Sequence, residues 1–277
     1  MFQPVIPQSG IGGWRFLEAT YDRQLESHSK SAQIRQDREY LVEKFAKPMT
    51  VDEFLDDTRL VRVTMTAFDL GGEEWKKGFI RKVLTEVADP DSTFLPRLNN
   101  PKYTEFANAM LPLLGEIRLS EEKTVELADK FELASFEAAV GEVDDTMRLA
   151  LNYKSEIGSI VGSGAEEKTV MYRILGDIPI RTMLERAVNL PTDIRKLDVD
   201  KQAEIFTEKL KSAFGITRLS DMADPKIIDK AILRYHAMES IQQSVASTSS
   251  ASAALTLLSN AAGFGSQASQ NLFLSNF

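Results

Sequence analysis

The chain has 277 residues, 43% hydrophobic and 27% charged, enough apolar content to bury a substantial core and too much to remain disordered. Its 41 acidic against 33 basic side chains leave a net charge of −8, which argues against nucleic acid as the main partner, because neutralising phosphates needs clustered Lys and Arg. Cysteine is absent, so disulfides, thiolate nucleophiles and thiolate metal sites are excluded.

The start, MFQPVIPQSGIGGWRF, places Pro4 and Pro7 where a secretory signal would need a basic start and an apolar run. No stretch approaches the roughly 18 uninterrupted apolar residues of a membrane span. These features predict a soluble protein, cytoplasmic or exported without a cleaved signal peptide. Residues 1–12 read as an arm, with Gly12 and Gly13 as a flexible lead into a helix whose face carries Trp14, Leu17, Tyr21 and Leu25. His28 follows among Ser27, Ser29 and Lys30 and reads as solvated.

A charged helix with Ile34, Leu41 and Phe45 on one side ends at Pro48. Thr50 and Glu53 then form a capping-box pattern at the head of VDEFLDDTRLVRVTMTAFDL, which Gly71-Gly72 should close. This stretch returns at an offset of 120 residues: Leu55, Asp57, Leu60, Ala67 and Leu70 meet Leu175, Asp177, Ile180, Ala187 and Leu190. Asn100-Pro101-Lys102 with Ala107 is echoed by Asp224-Pro225-Lys226 with Ala231. The pattern predicts an all-α, multihelical fold with a degenerate internal duplication of helical repeats.

Between these echoes, Trp75, Phe79, Val83 and Val87 give an amphipathic helix whose other face, Lys76, Lys77, Arg81 and Lys82, reads as solvated. Ser120 caps a long apolar-striped run to about Ile157, with a bend expected near Gly141. Glu137, Glu142, Asp144 and Asp145 cluster there and read as a solvated acidic face. Gly158, Gly162 and Gly164 separate a first half, residues 13–157, from a second half, residues 158–239, packed on the first as one domain. IGSIVGSGAEEKT lacks the Gly-Lys-Ser/Thr ending of a phosphate loop. Asp198 or Asp200 should cap a helix closed by Gly215, and a last helix carries Ile228, Ala231, Ile232 and Tyr235. His236 has one other histidine in the chain for company, so no histidine metal site or catalytic dyad is expected. No catalytic residue, cofactor site or metal ligand set is expected.

Beyond Glu239 the chain to Phe277 contains no charged residue and no histidine. An uncharged tail of Ser, Ala, Asn and Gln punctuated by apolar side chains must cover the chain's own core or meet a partner. Its candidate contact residues are Leu255, Leu258, Phe264, Leu272, Phe273 and Phe277.

The blocks SGIGGWRFLEATYDRQ, VDEFLDDTRLVRVTMTAFDL, FIRKVLTEVADPDS, ASFEAAVGEVDDTMRLALNY and RAVNLPTDIRKLDVDKQAEI together resemble an uncharacterised all-helical alphaproteobacterial family. Its members are often encoded beside flagellar genes and sometimes labelled flagellar basal-body rod proteins. The resemblance spans Ser9 to Met238 and supplies no catalytic residues. It implies a helical protein connected with the flagellum, and the charge-free tail is similar to the terminal segments of axial flagellar proteins. The expected function is non-enzymatic: protein–protein contact in flagellar assembly, export or motor accessory work, with flagellar components as partners. One alternative is a small-ligand binder or enzyme with a pocket between the halves, for which Asp57, Asp177, Arg62 and Arg181 are the candidate polar groups. The other is a structural subunit that self-associates through its tail.

Overall fold

The computed structural model describes residues 2–98, 100–162 and 164–244. The tail residues Leu255, Leu258, Phe264, Leu272, Phe273 and Phe277 lie outside these. The first helices are α1 (Gly10–Ser29) and α2 (Ala32–Phe45), followed by strand β1 (Met49–Thr50), α3 (Val51–Asp56) and α4 (Thr58–Ala67). Next come α5 (Lys77–Glu86), α6 (Phe94–Leu98) and α7 (Pro101–Ala109), then a hairpin of β2 (Pro112–Leu113) and β3 (Glu116–Ile117). Two long helices, α8 (Glu121–Val143) and α9 (Asp145–Val161), lead to α10 (Glu167–Gly176), α11 (Ile178–Ala187) and α12 (Val199–Phe214). Residues 225–244 form α13. The fold is all-α and multihelical, as the periodicity predicts.

The apolar side chains gather into two cores that share one helix. Ile34, Leu41, Phe54, Leu60, Val61 and Phe106 meet the first half of α8 through Leu127, Ala128 and Phe131. Trp14, Met147, Ile180, Phe206 and Tyr235 meet its second half through Phe136 and Val140. With 23 residues, α8 is about 35 Å long, enough to floor both.

The capping residues do what their chemistry predicts. Thr50 and Glu53 complete a capping box on α3. Asp57 ends α3 and caps α4, accepting the Leu60 N–H at 3.0 Å; Asp177 ends α10 and caps α11 through the Ile180 N–H, also at 3.0 Å. Leu55, Leu60 and Ala67 are buried, as are Leu175, Ile180 and Ala187. Each of these helices closes on a residue at φ 54°, Asp69 and Asn189, rather than on Gly71-Gly72. Asp and Asn tolerate the left-handed region because their short polar side chains bond locally, so a glycine is not needed. The likeness belongs to these two helix pairs; α3 has 6 residues where α10 has 10.

The run expected from Glu121 to Ile157 is two helices. Asp144 is extended and caps α9 by accepting from the Thr146 N–H and hydroxyl, and α9 turns back to pack on α8. At Gly141 the side chain of Arg148 lies close, with its Cδ 2.5 Å from where a Cβ would sit. The N-terminal glycines also serve close approach. A Cβ on Gly13 would lie 1.7 Å from the Gln8 carbonyl oxygen, where the arm folds back over α1. Gln24 fixes the arm, accepting from the Val5 N–H at 2.7 Å and donating to its carbonyl at 3.1 Å.

His28 is a correction: it lies on α1 and is buried, with Nε2 2.9 Å from the Ser135 hydroxyl and its ring against Phe2 and Phe136. The basic face of α5 is not merely solvated either, since Arg81 pairs with Asp52 and Lys82 sits 4.6 Å from the Phe94 ring centre. Gly158 lies within α9 and Gly162 caps it, so the glycine-rich stretch opens as helix rather than loop.

Candidate functional site

A cleft of about 480 Å³ opens where the two cores meet. Its floor is one face of α8, with Lys130, Leu133, Ala134 and Glu137 at the spacing that aligns side chains on a helix. One wall is the end of α4 with Asp69, together with Lys102 and Glu105 of α7. The other is Ser155, Glu156, Ser159 and Ile160 of α9, with Asp177 at the head of α11. A second hollow of about 370 Å³, lined by Trp14, Tyr21 and Lys154, shares Leu133, Glu137 and Ser155 with it. Glu137 thus stands between the two.

Five carboxyl groups line the cleft against two lysines. Lys102 pairs with Asp69 at 3.0 Å and Lys130 with Glu105 at 2.5 Å. The remaining three carboxyls, Glu137, Glu156 and Asp177, have no cationic partner within ion-pair distance among the described residues. Glu137 is 6% exposed and accepts no hydrogen bond there. Burial pushes its carboxyl up to about 8, and the charges of Asp69 and Glu156 add to the shift while Lys102 and Arg148 pull the other way. Glu156 is also raised, by burial first, with Lys102 pulling the other way. Asp177, 5% exposed, is raised by burial despite its bond from the Ile180 N–H. The Tyr21 hydroxyl is raised as well, through burial and the nearby Glu137.

Of the four polar groups expected between the halves, only Asp177 is here. Asp57 accepts from the Tyr40 hydroxyl at 2.5 Å and pairs with Lys44 at 3.2 Å. Arg62 joins Arg59 on buried Asp37, at 2.8 and 2.7 Å. Arg181 bonds Glu185 and Gln202. These three tie helices together and do not converge on the cleft.

The acidic group on α8 and α9 divides. Glu142 and Asp145 are exposed as expected, Asp144 is a cap, and Glu137 is buried in the cleft. One signal marked it: between Glu132 and Glu142 it is the single charged residue. His236 is fully buried 5.8 Å from the Trp14 ring, and neither ring nitrogen has a hydrogen-bond partner among the described residues. Burial pushes it down to about 4, so the ring is neutral at pH 7. Among the described residues no group of three or more His, Asp or Glu is placed to hold a metal ion, and no helix is long and apolar enough to cross a membrane.

The hairpin is the other unusual surface. Leu114 and Gly115 turn the chain at φ 54° and 84°, the pair of positive values of a type I′ turn. Leu114 is fully exposed and Leu113 is 57% exposed. A branched aliphatic side chain in the left-handed region is strained, and this one buries nothing in return.

The sequence profile of a family described as a protein of unknown function, DUF1217, matches residues 67–228, more than half of the chain. The chain belongs to the DUF1217 family. The crystal structure of protein AGR_C_984 from Agrobacterium tumefaciens is similar to it, at 25% sequence identity and a TM-score of 0.66, covering 87% of this chain and 97% of that one. No curated protein matches the sequence. All the residues of the central cleft, and the hairpin tip, fall within the stretch that the DUF1217 profile matches.

Proposed function

We propose that this DUF1217 protein works without enzymatic chemistry, by contact with other proteins, in flagellar assembly, export or as a motor accessory. The contact part rests on the hairpin tip. Leu113 and Leu114 lie at the end of a short antiparallel sheet, in which Leu113 pairs with Glu116 and β1 pairs with β3 through Met49 and Ile117. Exposed aliphatic side chains in a strained turn weaken the free protein and gain value only when a partner covers them. The flagellar part rests on the resemblance of the sequence blocks and on the charge-free tail from Ser240 onward.

The test is a deletion strain of a motile host, complemented with the wild-type chain or with Leu114→Asn. Deletion is expected to reduce swimming or filament number, and Leu114→Asn to restore neither in full although it relieves the turn. Normal motility of the deletion strain would overturn the flagellar reading. Full rescue by Leu114→Asn would overturn the role of the hairpin.

A further inference from the structure

We propose that the cleft between α4, α7, α8, α9 and Asp177 binds a small organic cation carrying two amino or guanidino groups. This goes beyond the contact reading and does not depend on it. The first argument is charge. The two lysines in the cleft are already paired, which leaves Glu137, Glu156 and Asp177 as acceptors without cations. An anionic ligand would add to an existing excess of negative charge, whereas an ammonium or guanidinium group supplies what is missing.

The second argument is Glu137 itself. Glu137 is 6% exposed, lines two hollows at once and accepts no hydrogen bond from the described residues, so its carboxyl is free to meet a donor placed in either hollow. An apolar residue would bury more cheaply at this position than a carboxyl that no protein group pairs. A ligand donor supplies that pairing.

Spacing and shape select the class of cation. The acids are not arranged to share one metal ion, so the cation has to reach from α8 to α9 and Asp177. Between the acids the lining is Phe68, Leu133, Ala134 and Ile160, which suits a methylene chain joining two charged ends. A volume of about 480 Å³ lies in the lower part of the usual range for small-molecule sites. The raised carboxyls of the cleft agree with this, because burial disfavours the charge of each and a cation bound beside them would favour it.

The test is isothermal titration of the full-length chain at low salt with putrescine, cadaverine, agmatine and spermidine, at pH 7 and pH 9 in buffers of different ionisation enthalpy. Saturable binding of at least one is expected, with net proton release at pH 7, as Glu137 ionises on binding, that shrinks or reverses at pH 9, where the acid is already largely ionised and the ligand amines begin to lose protons. Glu137→Gln, which mimics the neutral acid and should fold, is expected to lose at least tenfold in affinity and the proton release, while Glu142→Gln on the exposed side changes neither. Butylamine should bind more weakly than the diamines, and glutarate not at all. Absence of saturable heat with all four cations at millimolar concentration would overturn the proposal, as would equal binding of glutarate or binding unchanged by Glu137→Gln.

Discussion

Replacing Glu137 by Gln should stabilise the protein, by an amount that grows with pH. Burial raises this carboxyl from its ordinary value of 4.5 to about 8 in the folded chain. Between those values the native state holds a proton that the unfolded chain has released, so wild-type stability falls as pH rises from about 4.5 to about 8 and then levels off. At pH 7 the penalty comes to about 3 kcal/mol, and at pH 4 it nearly vanishes because both states are protonated. Gln keeps the shape of the neutral acid and has nothing to titrate. For a chain of this size the variant should melt on the order of 6–12 °C above wild type at pH 7 and within a degree or two of it at pH 4. Comparing the two proteins at each pH cancels the titration of the other acids, apart from the coupling of Glu137 to Asp69 and Glu156. Thermal unfolding by circular dichroism from pH 4 to pH 9 measures it. A gap that stays constant with pH, or a variant less stable at pH 7, would refute the view of Glu137 as a buried acid without an ion-pair partner.

Two further substitutions address the hairpin and the first core. Leu114→Asn creates the Asn-Gly pair favoured in a type I′ turn and should raise stability by up to about 1 kcal/mol in urea titration, a loss of stability arguing against strain at φ 54°. Asp37→Ala should cost about 3 kcal/mol, since Asp37 is 1% exposed and accepts from Arg59, Arg62 and Gln33. Burial opposes ionisation of Asp37, but its bonds from Arg62, Gln33 and Arg59 win and hold the carboxyl below the usual range. Its contribution is therefore present above that range and lost as pH falls through the depressed value, so the variant and wild type should converge in acid.

Which features the sequence revealed follows from the range of the forces involved. Asp57, Asp177, Asn100 and Asp198 cap helices through bonds to N–H groups two or three residues away, so residue type and position are enough to find them. The apolar stripes of α2, α4 and α12 are legible for the same reason. Glu137 and His28 were misread as solvated because their surroundings come from elsewhere: α9 folding back over α8 in one case, Phe2 and Ser135 in the other. The break at Asp144 hides in a continuous apolar pattern, since helix period persists on both sides of a single extended residue. Strands of two residues are too short to show alternation at all. Charge pairing across helices, such as Lys102 with Asp69, decides which acids in the cleft stay unpaired, and no local pattern encodes it.

Helix α8 carries a mechanical consequence. Because Leu127 and Phe131 belong to one core while Phe136 and Val140 belong to the next, neither core can complete itself without the same rod. The two lobes are therefore arms of one lever whose fulcrum lies around residues 131–136, where no side chain is shared between them. A substitution that shifts α8 in one core therefore acts on the packing of the other, across about 35 Å of continuous helix. Glu137 stands one residue past that point, on the side of the second core.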